Sequence, residues 1–251
     1  MLANFRAMFP HQKIFVYDLG LQPELRKEIE SKCLVEVRNF PFDHYHSNMK
    51  RLTEYRWKAI LVATAVREFG AVWYMDTSIR WMKDIRPLVY DAYGRRKRNG
   101  GNFPSAAMLH LALRRSTFIT THPGTYTFLP TNMKEIKKKT CPHMQSGFMF
   151  FIRTNDAIEI LKWFVLCSLE ENCIAPLGAK RSCEFAHDRY EKYANCHRFD
   201  QSVVNLLLAN AYRCNVSNYF SSIGRGVKAI HNEDHYLREI DFACSYKKVT
   251  T

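Results

Sequence analysis

The sequence contains no Gly-x-x-x-x-Gly-Lys-Ser/Thr loop, no Gly-x-Gly-x-x-Gly, no Gly-x-Ser-x-Gly and no His-Glu-x-x-His. The usual phosphate loop, dinucleotide fingerprint, nucleophile elbow and helical zinc motif are therefore excluded as starting points. No apolar run reaches the roughly 18 residues that span a bilayer. MLANFRAMFPHQK has no long apolar segment, so Met1 does not open a secretory signal. Internal repeats, heptads, low-complexity stretches and linkers rich in Pro and Ser are also missing, which leaves one domain over 1–251 as the expectation. A Cys-x-x-Cys pair is absent too. The spacing of Cys167, Cys173, Cys183 and Cys196, with His187 and His197 nearby, therefore favours disulfides over a zinc site in the irregular region 167–196.

What is present points to a well-packed chain with an excess of positive charge. A hydrophobic content of 47%, with 17 Phe, 13 Tyr and 4 Trp, supplies a large core and argues against disorder. The formal charge is +13. Two runs concentrate it, Arg95-Arg96-Lys97-Arg98 between Gly94 and Gly100-Gly101, and Lys137-Lys138-Lys139. Each run is either a solvated loop or a contact for phosphate, anionic glycan or nucleic acid. The first also mimics a nuclear signal. No element interleaves aromatic and basic residues, so no nucleic-acid partner is expected.

The chain carries no targeting segment, and as written would be cytosolic. Eight cysteines and the sequon Asn215-Val216-Ser217 suit an oxidising lumen better. Its start resembles the last turns of a helix, with apolar Leu2, Phe5, Met8 and Phe9, running directly into a strand. A doubly wound domain normally begins with a strand, so one is expected to be missing upstream.

Hydrophobic periodicity predicts strand Ile14 to Leu19, a helix from Pro23 over Glu24 to Ser31, and strand Leu34 to Phe40. A helix over Trp57–Phe69 follows, then an apolar strand ending at Asp76-Thr77-Ser78. Alternation of strand and helix predicts an α/β fold with a mostly parallel sheet flanked by helices. Further on, the pattern predicts a short helix from Asp84 to Tyr93 and a basic loop after it. Ala106 to Thr120 mixes helix and strand signals. A strand from Met144 to Arg153, a helix from Ala157 to Glu170 capped by Asn155-Asp156, and a helix opened by Asp200 complete the reading.

Four groups carry candidate chemistry. Asp76 ends a buried strand at the sheet edge where open α/β folds bind ligands, and either seats a divalent ion on phosphates or caps its own turn. Gln145-Ser146-Gly147 precedes a strand and offers hydrogen bonds and close backbone approach, or is a plain turn. Asp200 and Gln201 open a helix, as N-cap or facing a pocket. His231 is a metal ligand or a structural imidazole.

The ordered segments YDLGL, WYMDTSIRW, THPGTYTFLPT, QSGFMFF, KWFVLCSLEENCIAPLG and YANCHRFDQSVVNLLLAN resemble a nematode-rich family of uncharacterised proteins, domain of unknown function 1647. That family looks related to GT-A nucleotide-sugar transferases of the glycogenin-like, galactosyltransferase-like branch, glycosyltransferase family 8-like. The resemblance implies a GT-A-like, Rossmann-like fold and transfer of a sugar from a nucleotide sugar, with UDP-linked donors among the candidates. It implies a glycan or protein acceptor and Mn²⁺ or another divalent cation. Asp76 stands for the first Asp of the metal motif, with Ser78 where the second would be, and His231 for the late metal-ligand His. Tyr17, Asp76, Ser78, Gln145, Ser146 and Gly147 are implied in donor or acceptor binding, and Asp200 with Gln201 in catalysis beside the reacting sugar. The setting implied is the Golgi lumen or secretory pathway, with membrane attachment only through an anchor absent from this chain. The alternative is a non-catalytic lumenal binding module, a degenerate pseudoenzyme keeping the fold.

Overall fold

The computed structural model of the chain describes residues 1–98, 107–220, 226–230 and 239–244. It is a mixed α/β structure of helices and small sheets. Helix α1 (Leu2–Met8) leads into β1 (Ile14–Asp18), α2 (Pro23–Glu30) and β2 (Val35–Asn39), and β1 pairs with β2 in parallel from Ile14↔Val35 to Asp18↔Asn39. Helix α3 (Arg56–Phe69) then feeds β3 (Ala71–Met75) through Gly70, whose φ of 74° closes the helix in a conformation that suits glycine. A tight turn at Asp76 leads to β4 (Ile79–Trp81) and α4 (Arg86–Arg98). Strands β5 (Ala107–Leu109), β6 (Ala112–Ser116), β7 (Pro142–Met144) and β8 (Phe148–Ile152) follow, with the short α5 (Met133–Ile136) between β6 and β7. The chain continues through α6 (Asn155–Leu169), α7 (Asp200–Tyr212) and β9 (Val227–Ala229).

The sheet is not the mostly parallel one that the alternation of elements predicts. Among the described strands, β3–β8–β5, β4–β9 and β6–β7 are all antiparallel, and only β1–β2 is a parallel pair. The reason lies in β8. Its first four residues, Phe148 to Phe151, are all buried, and a strand covered on both faces reads the same whichever way its neighbours run. The basic run is also corrected: Arg95 to Arg98 are the last residues of α4, not a loop, because Arg and Lys are good helix formers.

The period-2 alternation of β3 and β8 sorts side chains into two layers. Val72, Tyr74, Met149 and Phe151 face the main core with α3, α6 and α7. Phe148 and Phe150 face the other side, where Trp73 stacks on Phe150, Phe148 and His110 with ring centres 4.5, 5.2 and 5.1 Å away. His110 is buried there with neither ring nitrogen hydrogen-bonded, and burial pushes its pKa down to about 3.

All eight cysteines pair, as Cys33–Cys244, Cys141–Cys214, Cys167–Cys173 and Cys183–Cys196. Four disulfides suit an oxidising, secretory-type compartment. No helix among the described residues is long and apolar enough to cross a membrane.

Candidate functional site around Lys58

Where β3 ends, the ladder with β8 continues one step. The Asp76 N–H donates to the Gly147 carbonyl at 2.8 Å, which fixes the carboxylate over the Gly147 Cα. A Cβ on residue 147 would sit 2.9 Å from Asp76 Oδ2, so this approach needs glycine. Tyr74, two residues earlier and on the same face, donates its hydroxyl to Asp76 Oδ1 at 2.6 Å. Ser146, next to the glycine, donates to Asp200 Oδ2 at 2.7 Å.

Lys58 joins the two halves. It projects from the first turn of α3 and is 1% exposed. Its ammonium lies 2.7 Å from Asp200 Oδ2 and 3.3 Å from Asp76 Oδ1. The rings of Tyr55 and Tyr74 flank it at 5.1 and 5.3 Å. Elements far apart in sequence thus meet at one buried cation: α3, the end of β3, the β7–β8 turn and the start of α7.

Asp200 is the first residue inside α7 rather than its cap; the cap position is Phe199, held at φ 45°. A carboxylate in the first turn is favoured by the helix dipole, but here it is also buried, at 3% exposure, and needs its two donors. Gln201 donates to the Met144 carbonyl at 2.9 Å, and Asn205 brackets the same residue, accepting from Met144 N and donating to Met144 O. The Gln201 amide therefore docks α7 on β7. Gln145 is half-buried and its backbone N–H donates to Leu111 O.

Burial pushes the Lys58 pKa down, and the carboxylates of Asp200 and Asp76 more than offset this, so the net shift is upward and the ammonium stays charged. Tyr74 is pushed well above its ordinary value, by burial first and by Asp76 second, and remains a donor. One cation and two carboxylates leave a net negative charge, which reaches solvent at Asp76, whose side chain is 35% exposed. The cluster can accept hydrogen bonds from donor groups at Asp76 while Lys58 and Tyr74 hold that carboxylate still.

The described residues do not assemble a divalent-cation site. No group of three or more His, Cys, Asp and Glu side chains is gathered among them, and hard cations take several oxygen ligands. Asp76 Oδ1 is already engaged by Tyr74 and Lys58, so a metal there would meet an ammonium. Ser78 lies in the turn after β3, and its carbonyl accepts from Ile230 N at 2.8 Å. His231 lies outside the described residues. Tyr17 lies on β1 opposite Arg38, at the margin of the main core.

Sequence reasoning singled out Asp76, Ser146, Gly147 and Asp200, which the structure brings together, and missed Lys58 and Tyr74. The signal for Lys58 was present. With Leu61, Val62 and Ala65 it occupies positions i, i+3, i+4 and i+7, the apolar stripe of α3. Arg56, fully buried, was missed as well; it caps the C-terminal end of α6 by donating to the carbonyls of Ser168, Glu170 and Glu171 at 3.1, 3.0 and 2.6 Å.

The likeness to GT-A transferases has no match behind it, since neither a curated protein nor a solved structure matches the chain. Residues 1–63 match the family model described as Protein of unknown function (DUF1647), which supports the resemblance to that family over this segment.

Proposed function

We propose that the end of β3 is the site of glycosyl transfer from a nucleotide sugar, in a GT-A-like domain working in the Golgi lumen or elsewhere in the secretory pathway. The observation that carries this reading is the convergence of Asp76, Gly147, Ser146 and Asp200 on Lys58. Asp76 would accept hydrogen bonds from donor-sugar hydroxyls, and Gly147, with no side chain, leaves room for the carboxylate to take that position. Lys58 and Asp200 act as positioning residues that fix Asp76, an arrangement that needs no rearrangement during reaction. The bond from the anomeric carbon to the diphosphate oxygen breaks, a bond to an acceptor hydroxyl oxygen forms, and the hydroxyl proton passes to solvent.

The test incubates the disulfide-intact chain with a panel of UDP- and GDP-sugars, with and without Mn²⁺, and reads release of the nucleoside diphosphate. Release that falls by about tenfold or more in Asp76→Asn, with circular dichroism unchanged, is the expected result. Absence of both binding and release across the panel in either condition overturns the reading.

One observation favours the non-catalytic alternative: Asp200 is buried, and Lys58 and Ser146 both engage its Oδ2. A binding module would show donor or glycan binding by calorimetry with no release.

A further inference from the structure

Buried and half-buried cations in this fold are satisfied in two ways. Arg6 donates to the carbonyls of Phe9, Pro10, Gln12 and Cys33, and Arg56 to those closing α6, while Lys58 has its carboxylates. Arg115, on β6, follows neither pattern. Its Nε is buried without a hydrogen-bond partner, and its guanidinium lies over the Phe185 ring at 5.2 Å. The Arg189 guanidinium lies over the same ring at 4.3 Å. Ser116 holds the two segments together, its N–H donating to Arg189 O at 2.9 Å and its hydroxyl to Tyr190 O at 2.6 Å. Arg198 is drawn in from the other side by its N–H bond to Thr120 O at 3.1 Å. Thr120 in turn contacts Nδ1 of the buried His143, whose Nε2 has no partner.

Among the described residues no carboxylate forms an ion pair with Arg115, Arg189 or Arg198. Of the acids in the adjoining loop, Asp188 accepts from the N–H groups of Tyr190 and Glu191 and Glu184 accepts from Asn195, while the exposed Glu191 forms no ion pair with these arginines. Burial and the charges of Arg198 and Arg189 together lower the Arg115 pKa to about 10. Lys139, from the second basic run, lies over Tyr190 at 5.6 Å and extends the same positive face. Arg115 and Arg189 lie over the Phe185 ring, and Arg198, whose Nη1 donates to Arg181 O at 3.4 Å, adds its charge beside Arg115; among the described residues none of the three has a carboxylate partner.

We propose that Arg115 and Arg189 at the Phe185 ring, with Arg198 beside Arg115, form a binding site for an anionic glycan, with the guanidiniums gripping sulfate or uronate groups and the Phe185 ring packing against a pyranose face. Arg198 stands two residues before Asp200, and His143 three before Ser146, so the site adjoins the Lys58 cluster. It names the acceptor class for the proposed transfer and rests on that reading for the transfer alone; glycan binding stands without it. Planar forks match sulfate and carboxylate bidentately, which favours such groups over a diffuse polyanion. The oxidising compartment implied by four disulfides is where such glycans are made.

The test is calorimetry on the disulfide-intact chain with no donor present, so its outcome is separate from that of the transferase reading. The titrants are a heparin-derived hexasaccharide, an unsulfated heparosan hexasaccharide and a thymidine oligonucleotide of matched charge. The sulfated sugar is expected to bind, with affinity reduced by about tenfold or more in Arg115→Gln/Arg198→Gln and with a shallower salt dependence. The exposed Arg189→Gln, which spares the fold, should weaken binding in the same direction, and Lys27→Gln on α2 should leave it unchanged. Equal binding of the unsulfated sugar keeps the assignment and makes the carboxylate the recognised group. No binding of either sugar, equal binding by native and arginine variants, or tighter binding of the oligonucleotide overturns it.

Discussion

Replacing Lys58 with methionine keeps the length and apolar stem of the side chain and deletes only its charge. The consequence falls unequally on the two carboxylates. Asp76, 35% exposed at its side chain, still has Tyr74 and water. Asp200, 5% exposed at its side chain, is left with Ser146 as its remaining side-chain donor. Breaking a buried pair from one side typically costs ~3–5 kcal/mol, because the other charge stays behind uncompensated. For a chain of this size that is a fall in melting temperature on the order of 10 °C. The companion Asp200→Asn removes that stranded charge while keeping the shape. The double variant Lys58→Met/Asp200→Asn should therefore recover most of the loss, to within ~1–2 kcal/mol of the native chain. Urea unfolding under oxidising conditions, followed by both circular dichroism and tryptophan fluorescence, measures this cycle and checks that the transition is two-state. A loss below ~1 kcal/mol for Lys58→Met, or a double variant no more stable than the single one, would refute the claim that the ammonium compensates Asp200.

Three further outcomes follow from the same geometry. His110 is held neutral by burial, with its pKa lowered from the ordinary histidine value to about 3, so the unfolded chain takes up a proton that the folded chain refuses. Its stability contribution is complete above the unfolded value and is lost as pH falls below it, by ~2 kcal/mol near pH 5; His110→Leu should flatten the measured decline in unfolding free energy between about pH 7.5 and pH 5 by that amount. Arg56→Gln removes the donors to three carbonyls at the end of α6; it should cost ~3 kcal/mol and speed amide exchange in the last turn of α6. Gly147→Ala places a Cβ 2.9 Å from Asp76 Oδ2 and must displace the carboxylate; nucleoside diphosphate release should fall by about tenfold with a stability loss of ~1 kcal/mol, and unchanged release would contradict the placement of Asp76 at the sugar.

The positions of the main elements were legible where a side-chain period is unambiguous. Helix α3 shows its apolar stripe, and the abrupt change from Trp73-Tyr74-Met75 to Asp76-Thr77-Ser78 marks the end of β3. Strand direction was not legible, since Phe148 to Phe151 are buried on both faces and carry no alternation to pair with a neighbour. Cysteine spacing pointed to disulfides over zinc, but it could not give Cys33–Cys244, which spans 211 residues. Half of the site was visible because carboxylates at strand and helix ends attract notice. The other half was hidden because a lysine is expected outside, and only its place in the stripe with Leu61, Val62 and Ala65 marks it as buried.

The same contrast separates the two basic features of this protein. Lys58 is a cation whose charge the fold consumes: two carboxylates close on it, and its role is to hold them in place. Arg115 is a cation whose charge the fold leaves standing, against an aromatic ring and beside two further arginines. A buried charge with no partner lowers stability, and two neighbouring like charges lower it further. The anionic glycan proposed above would supply the missing counter-charge. The net charge of +13 therefore says little until it is divided. Cations such as Lys58 are cancelled by carboxylates within the chain, and the arginines at Phe185 belong to the excess that is not.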